Sequence, residues 1–237
     1  NETAAGMGSG ITGKDDRSLS YYTPNYPANF KLRDEDATFL IRTTEYQRPW
    51  MRFVSTDWLR QTAFTDKTND SRYHATFQTV YLNNGTSTPN GLLNQPLNPG
   101  DTAFVFSDTP VSAAYKASKN YRIFEPGEIT RAIFPAMQKH FDPNRQDMND
   151  ASGRPFILAK LSETYLIAAE AAMKLGNNAK AHDYILVLRK RAAYPGHEQD
   201  IADATPATIT IDYILDERAR ELCGEQHRWF DLKRTKT

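Results

Sequence analysis

Three glutamates, Glu217, Glu221 and Glu225, recur at every fourth position near the C-terminal end of the chain. Paired carboxylates are the usual machinery of glycoside hydrolysis, where they flank a sugar about 5 to 9 Å apart. On a helix, however, this spacing sets all three on one face and points them the same way. Like charges so placed repel by roughly 0.2–0.5 kcal/mol per pair, so cations must offset them. Arg220 and Arg228 follow Glu217 and Glu225 by three residues. Arg189 and Arg191 lie on the preceding helical stretch, and Glu170 on the one before that. The spacing predicts a structural ion-pair network of Glu170, Arg189, Arg191, Glu217, Glu221 and Glu225, in preference to a catalytic pair. Glu170 or a member of the Glu217 row is expected within ion-pair reach of Arg189 or Arg191.

A second set of residues has a different use. Aromatic rings stack on the flat apolar faces of sugars, while amides, carboxylates and guanidiniums hold the hydroxyls. Tyr21, Tyr22, Tyr26, Tyr46, Trp50 and Trp58 are the rings in question. Trp58 and Phe64 sit at helical spacing, which reads as core. Trp50, beside Pro49, and the pair Tyr21–Tyr22 fit either a stacking platform or loop packing. The platform candidates are Trp50, Tyr21, Tyr22 and Tyr46.

Other chemistries find little footing. The five histidines, at 74, 140, 182, 197 and 227, form no ligand motif. Asp142, Asn144, Asp147, Asn149 and Asp150 miss the spacing of a calcium loop, and Asp-Pro-Asn suits a capped turn instead. Gly8 to Asp15 has the spacing of a phosphate loop, but Asp15 replaces the metal-binding hydroxyl and no apolar strand precedes it. No metal or cofactor is implied. Lys plus Arg number 29 and Asp plus Glu 29. A chain without basic surplus lacks the electrostatic footprint of nucleic-acid binding. The single cysteine, Cys223, permits no internal disulfide, and no apolar run is long enough to span a bilayer.

The elements that must position these residues fall into two regions. Residues 157–175, 179–193 and 208–223 carry apolar and small residues at steps of three and four, which predicts three helices. The first two should form an antiparallel hairpin, with Gly176 as the stop and Asn177 or Asn178 as the next cap. Leu161, Tyr165, Ala168, Ala172 and Leu175 would line the first helix. Thr208 or Thr210 would cap the third. Upstream, residues 72–82 alternate in the manner of a strand, and residues 102–106 and 122–124 read as two more. Residues 36–46 fit a strand or a short buried segment, and residues around Trp58 a short helix. Residues 1–30 and 86–101 read as loop. The expected division is a loop-rich part with short strands over 1–150 and a helical part over 151–237.

Four blocks in the helical part carry a family resemblance. They are the run from Leu161 to Ala171, then Leu188 to Ala192, then Asp216 to Leu222, and finally Glu225-Gln-His-Arg-Trp-Phe-Asp231-Leu-Lys-Arg234. In order and spacing these resemble the C-terminal signature of the SusD/RagB family. Asp70 to Tyr73, Phe134-Pro135 and Phe141 to Arg145 resemble further landmarks. The resemblance implies a mainly α fold of TPR-like helical hairpins, a SusD-like α-α superhelix. It implies non-catalytic binding of an oligosaccharide at the outer membrane and its delivery to a TonB-dependent, SusC-like transporter. It also implies a longer lipoprotein whose lipid anchor lies outside this chain. His227 and Trp229, though within the motif, read as structural. Residues 1–150 would then be the glycan-facing part. The balanced charge points to a neutral sugar. A helical-repeat scaffold for protein partners, without a sugar ligand, is the alternative. Exposed aromatics flanked by amides would favour the glycan reading.

Overall fold

A computed structural model describes residues 16–155 and 157–236. The protein is mainly helical with a few short strands, and it divides into two compact units. One comprises Asn1–Val54 and Phe77–Pro155, the other Ser55–Thr76 and Phe156–Thr237. The helical unit thus draws in residues 55–76, which the division at residue 150 assigns elsewhere.

The first unit is organised around aromatic rings. Tyr26, Phe30, Tyr46, Tyr81, Phe104, Phe106 and Phe124 form its buried core. Phe30 meets Tyr81 edge-on at 5.0 Å, and Phe104 stacks on Phe124 at 5.9 Å. Three strands carry the last four of these rings: β2 (Val80–Leu82), β3 (Thr102–Phe106) and β4 (Arg122–Phe124). β2 pairs antiparallel with β3, and β3 parallel with β4. A second, two-stranded sheet joins β1 (Phe77–Gln78) to β5 (Ala136–Met137). After β2, Asn83 organises the turn by donating to the Ser87 and Leu97 carbonyls and accepting from Gly85 N. A Cβ on Gly85 would come within 2.8 Å of the Phe39 carbonyl oxygen, so only glycine fits there.

One strand expectation changes, and one open choice is decided. Residues 72–82 are not one strand: Arg72–Thr76 is a helical turn, and extended pairing begins at Phe77. The Asp70 carboxylate accepts from Arg72 N and starts the turn, so Tyr73 and Thr76 are buried at helical spacing. Residues 36–46 make no ladder. Ile41 bonds instead to a side chain, with Asn84 accepting from Ile41 N and donating to Ile41 O, while Leu40 and Tyr46 are buried, as in the short-buried-segment alternative.

In the second unit, α1 (Leu161–Lys174) and α2 (Asn178–Ala192) pack as a hairpin. Gly176 turns the chain at φ +75°, and the Asn177 side chain caps α2 by accepting from Lys180 N. Small residues allow close approach: Ala169, Ala172 and Ala181 are buried between Leu166, Ile185 and Leu188. The stripe of α1 is therefore rotated from the expected one, and Leu161 and Leu175 lie exposed. The helix also begins four residues late. Lys160 keeps extended backbone while its amino group reaches the Glu221 carbonyl at 3.0 Å and the Glu225 carboxylate at 2.8 Å.

This unit has two further helices beyond the three expected, α3 (Glu198–Asp203) and α5 (Arg228–Thr235). Between them lies α4 (Ile211–Glu221), whose Ile214 and Leu215 are buried. Its cap is Thr210, accepting from Tyr213 N at 3.2 Å. Replacing Thr210 with alanine orphans that amide. The expected cost is about 1 kcal/mol, read as a lower urea midpoint at unchanged slope. An unshifted midpoint would show that the cap contributes nothing.

Candidate functional site

The carboxylate row in the helical unit is saturated by cations. Glu217, wholly buried, meets Arg72 at 2.7 Å, Arg220 at 2.7 Å and Arg189 at 3.5 Å. Glu221 meets Arg191 at 2.7 Å, Arg72 at 3.1 Å and Lys160 at 3.6 Å. Glu225 meets Lys160 at 2.8 Å rather than Arg228. Arg228 instead donates to the Leu215 carbonyl and lies 4.5 Å from the centre of the Trp58 ring. Trp58 is accordingly at the surface, against the expectation of a core ring, whereas Phe64 is buried. Glu170 pairs with Arg234 at 2.6 Å and Lys174 at 2.8 Å, not with Arg189 or Arg191. Arg72 carries much of this network; it belongs to the Asp70–Tyr73 landmark, but at 145 residues from Glu217 nothing in the sequence pairs the two.

These contacts rule on the chemistry. Burial is the largest single influence on Glu217 and acts to raise its pKa, yet Arg72, Arg220 and Arg189 together hold it far below the usual carboxylate range. A carboxyl so held cannot donate a proton to a leaving group at neutral pH. Glu170 is drawn from 4.5 down to about 2, chiefly by its hydrogen bond to Arg234. Its folded-state pKa is the lower one, so the stability it contributes is full above 4.5 and fades as pH falls towards about 2. The urea midpoint of Glu170→Gln should therefore lie below wild type at neutral pH and converge with it in acid. A gap independent of pH would contradict this.

The rings of the first unit make a different kind of site. The segment from Trp50 to Phe53 runs against the short helix Ser18–Tyr21. Trp50 N donates to Ser20 O, and Arg52 N and Phe53 N both donate to Tyr21 O. Residues three apart on an extended chain face opposite ways. Met51, in the left-handed region at φ 50°, breaks that alternation and brings both rings against Tyr21. Trp50 lies 5.2 Å from Tyr21, and Phe53 6.0 Å from Tyr21 and 5.2 Å from Tyr22. Tyr22 stacks on His140 at 6.0 Å. The result is a continuous row, Trp50–Tyr21–Phe53–Tyr22–His140. Phe53 is its most open ring, 53% exposed. Three of the four rings singled out in the sequence thus come together, and Phe53 and His140 join them without any sequence signal.

Tyr46 does not join them. It is 3% exposed in the core, its hydroxyl accepts from Leu82 N at 2.7 Å, and burial raises its pKa to about 12. An inward ring cannot stack on a ligand, so Tyr46 is removed from the platform. Tyr26 is likewise buried, donating to Gln47 O. The Asp142 carboxylate accepts from Asn144 N, Gly153 N and the Ser152 hydroxyl, which lowers its pKa and makes the segment a capped turn. Among the described residues no cluster of His, Cys, Asp or Glu is arranged to hold a metal, and no helix is long and apolar enough to cross a membrane. The phosphate-loop-like run Gly8 to Asp15 lies outside the described residues.

The mainly helical, TPR-like architecture agrees with comparisons to known proteins. The model of the SusD family matches residues 20–237, and the chain belongs to that family. It is 35% identical over 104 residues to the SusD-like protein P25 of Formosa agariphila, covering 43% of this chain and 19% of that protein. It is 29% identical over 126 residues to the SusD-like protein P38 of the same organism, covering 49% and 24%. The chain thus matches about a fifth to a quarter of the length of these curated relatives.

Proposed function

We propose that this protein binds an oligosaccharide without cleaving it, as a lipid-anchored protein at the outer-membrane surface, and hands it to a TonB-dependent, SusC-like transporter. Family membership supports glycan binding in nutrient uptake, the surface location and the transporter as partner. The observation that carries the reading is the ring row with Phe53 exposed at its centre and partly exposed rings on either side, since aromatics in a continuous line suit a chain of sugar rings. Tyr21, Tyr22 and Phe53 would provide the stacking surface, and Trp50 would close one end. The non-catalytic part of the reading is supported by the carboxylate row, every member of which is held by a cation. The test is to incubate the purified protein with the oligosaccharides that it retains on a glycan array. Retention of one class of glycan without shortened products is expected. Hydrolysis products, or retention of no glycan, would overturn the proposal.

A further inference from the structure

The Trp50 end of the ring row is flanked by guanidinium groups. Arg48 lies 5.8 Å from the centre of the Trp50 ring and donates to the Asn149 amide oxygen at 2.9 Å. Both partners are neutral, and among the described residues no carboxylate comes within ion-pair distance of Arg48. Arg17 donates to the backbone carbonyl of the same Asn149. Asp147 is the nearby acid in sequence, and its carboxylate accepts from Asn149 N and Nδ2 at 2.7 Å each, which fixes the amide with its oxygen towards Arg48. Arg145 reaches the Thr44 carbonyl at 3.2 Å from the same loop. Burial, and like charge from Arg17, lower its pKa against the pull of Asp142 and Asp150.

Arg48 is held by an amide oxygen and an aromatic ring, both neutral, so its charge is left to meet a ligand. A guanidinium can hold a hydroxyl, but its planar fork is better matched by the two oxygens of a carboxylate or a sulfate, where the contact is charge-assisted on both sides. The backbone sets Arg48 in place rather than leaving it to wander. Gln47 and Met51, on either side of residues 48–50, both hold left-handed conformations, at φ 69° and 50°. Such strain persists where the surroundings fix it, and it gathers at ligand-holding segments.

We infer that the glycan lying along the ring row carries an acidic substituent, a carboxylate or an ester sulfate, and that Arg48 receives it beside Trp50. This rests on the glycan-binding reading above. It also departs from the neutral ligand suggested by the balanced charge of the whole chain, because local placement of charge decides recognition and the total does not. The other rings hold the sugar faces, and Arg48 selects among sugars.

The test is a glycan array carrying neutral, uronic-acid and sulfated oligosaccharides, probed with wild type and with Arg48→Gln, followed by calorimetry on the strongest hit at low and high salt. Hits among acidic glycans are expected, with Arg48→Gln binding about tenfold or more weakly, the loss of one charge-assisted contact. Wild-type affinity should fall as salt rises, while the melting temperatures of the two proteins agree. The uronic and sulfated arms separate the two acids. Hits confined to neutral glycans would overturn this inference and leave glycan binding standing. Acidic hits indifferent to Arg48→Gln would overturn the role of Arg48. Retention of no glycan at all would overturn the reading beneath it.

Discussion

Glu217→Ala is expected to lower folding stability by about 3–5 kcal/mol, the cost of breaking a buried ion pair by removing one partner. The side chain is wholly buried and its two oxygens serve Arg72, Arg220 and Arg189. Each of these is anchored by a second contact: Arg72 on Asp70, Arg220 on the Ala63 carbonyl, Arg189 on the Thr205 hydroxyl. None can swing out to water when the carboxylate goes. Three positive charges would then share a poorly hydrated space without their common counter-ion. Arg191→Ala supplies the contrast, because it meets Glu221 from the solvent side with its side chain 60% exposed. Surface pairs of that kind contribute roughly 0–1 kcal/mol. Urea unfolding of both variants measures the difference. Equal, small losses would mean that the buried network is not what holds α4 in place.

The second large effect concerns binding. Phe53→Ala should reduce glycan affinity by about tenfold or more, as expected for an aromatic at the centre of a contact surface. Its effect on stability should be small, within roughly 0.5 kcal/mol, because the ring is largely in water already. Trp50→Ala should behave differently. Trp50 is only partly exposed, packed on Tyr21 and beside Arg48, so its removal should weaken binding and lower the melting temperature together. Trp50 thus combines the two readings its sequence position allows, a stacking ring and a packed one. Affinity electrophoresis in gels containing the retained glycan, with thermal melts alongside, separates the two variants. A Phe53→Ala protein that binds like wild type would remove the ring row from the site.

Which parts were legible in the sequence follows from how local their causes are. The caps at Asn177 and Thr210 and the stop at Gly176 act within one helical turn, and α2 and α4 lie close to where spacing puts them. The stripe of α1 is not legible from spacing alone, because small alanines occur all round it and do not mark the buried side. The pairing of Glu217 with Arg189, and of Glu221 with Arg191, follows from charge order on neighbouring helices. Arg72 could not be found that way, since its position depends on a segment far upstream. Tyr46 lies in a polar stretch and Phe53 in an apolar one, Trp50 to Val54, so the surrounding residues point the wrong way for both. One turns into the ring core and the other outward because of backbone twists at Gln47 and Met51, residues without the glycine that would have signalled positive φ.

The most direct test of the glycan site is hydroxyl-radical footprinting of the protein with and without the glycan that it retains. Phe53, Tyr22 and Tyr21 are expected to lose reactivity when glycan is bound, while the exposed rings of Trp229 and Phe230 on α5 react as before. Protection elsewhere, with Phe53 as reactive in the complex as in the free protein, would contradict it.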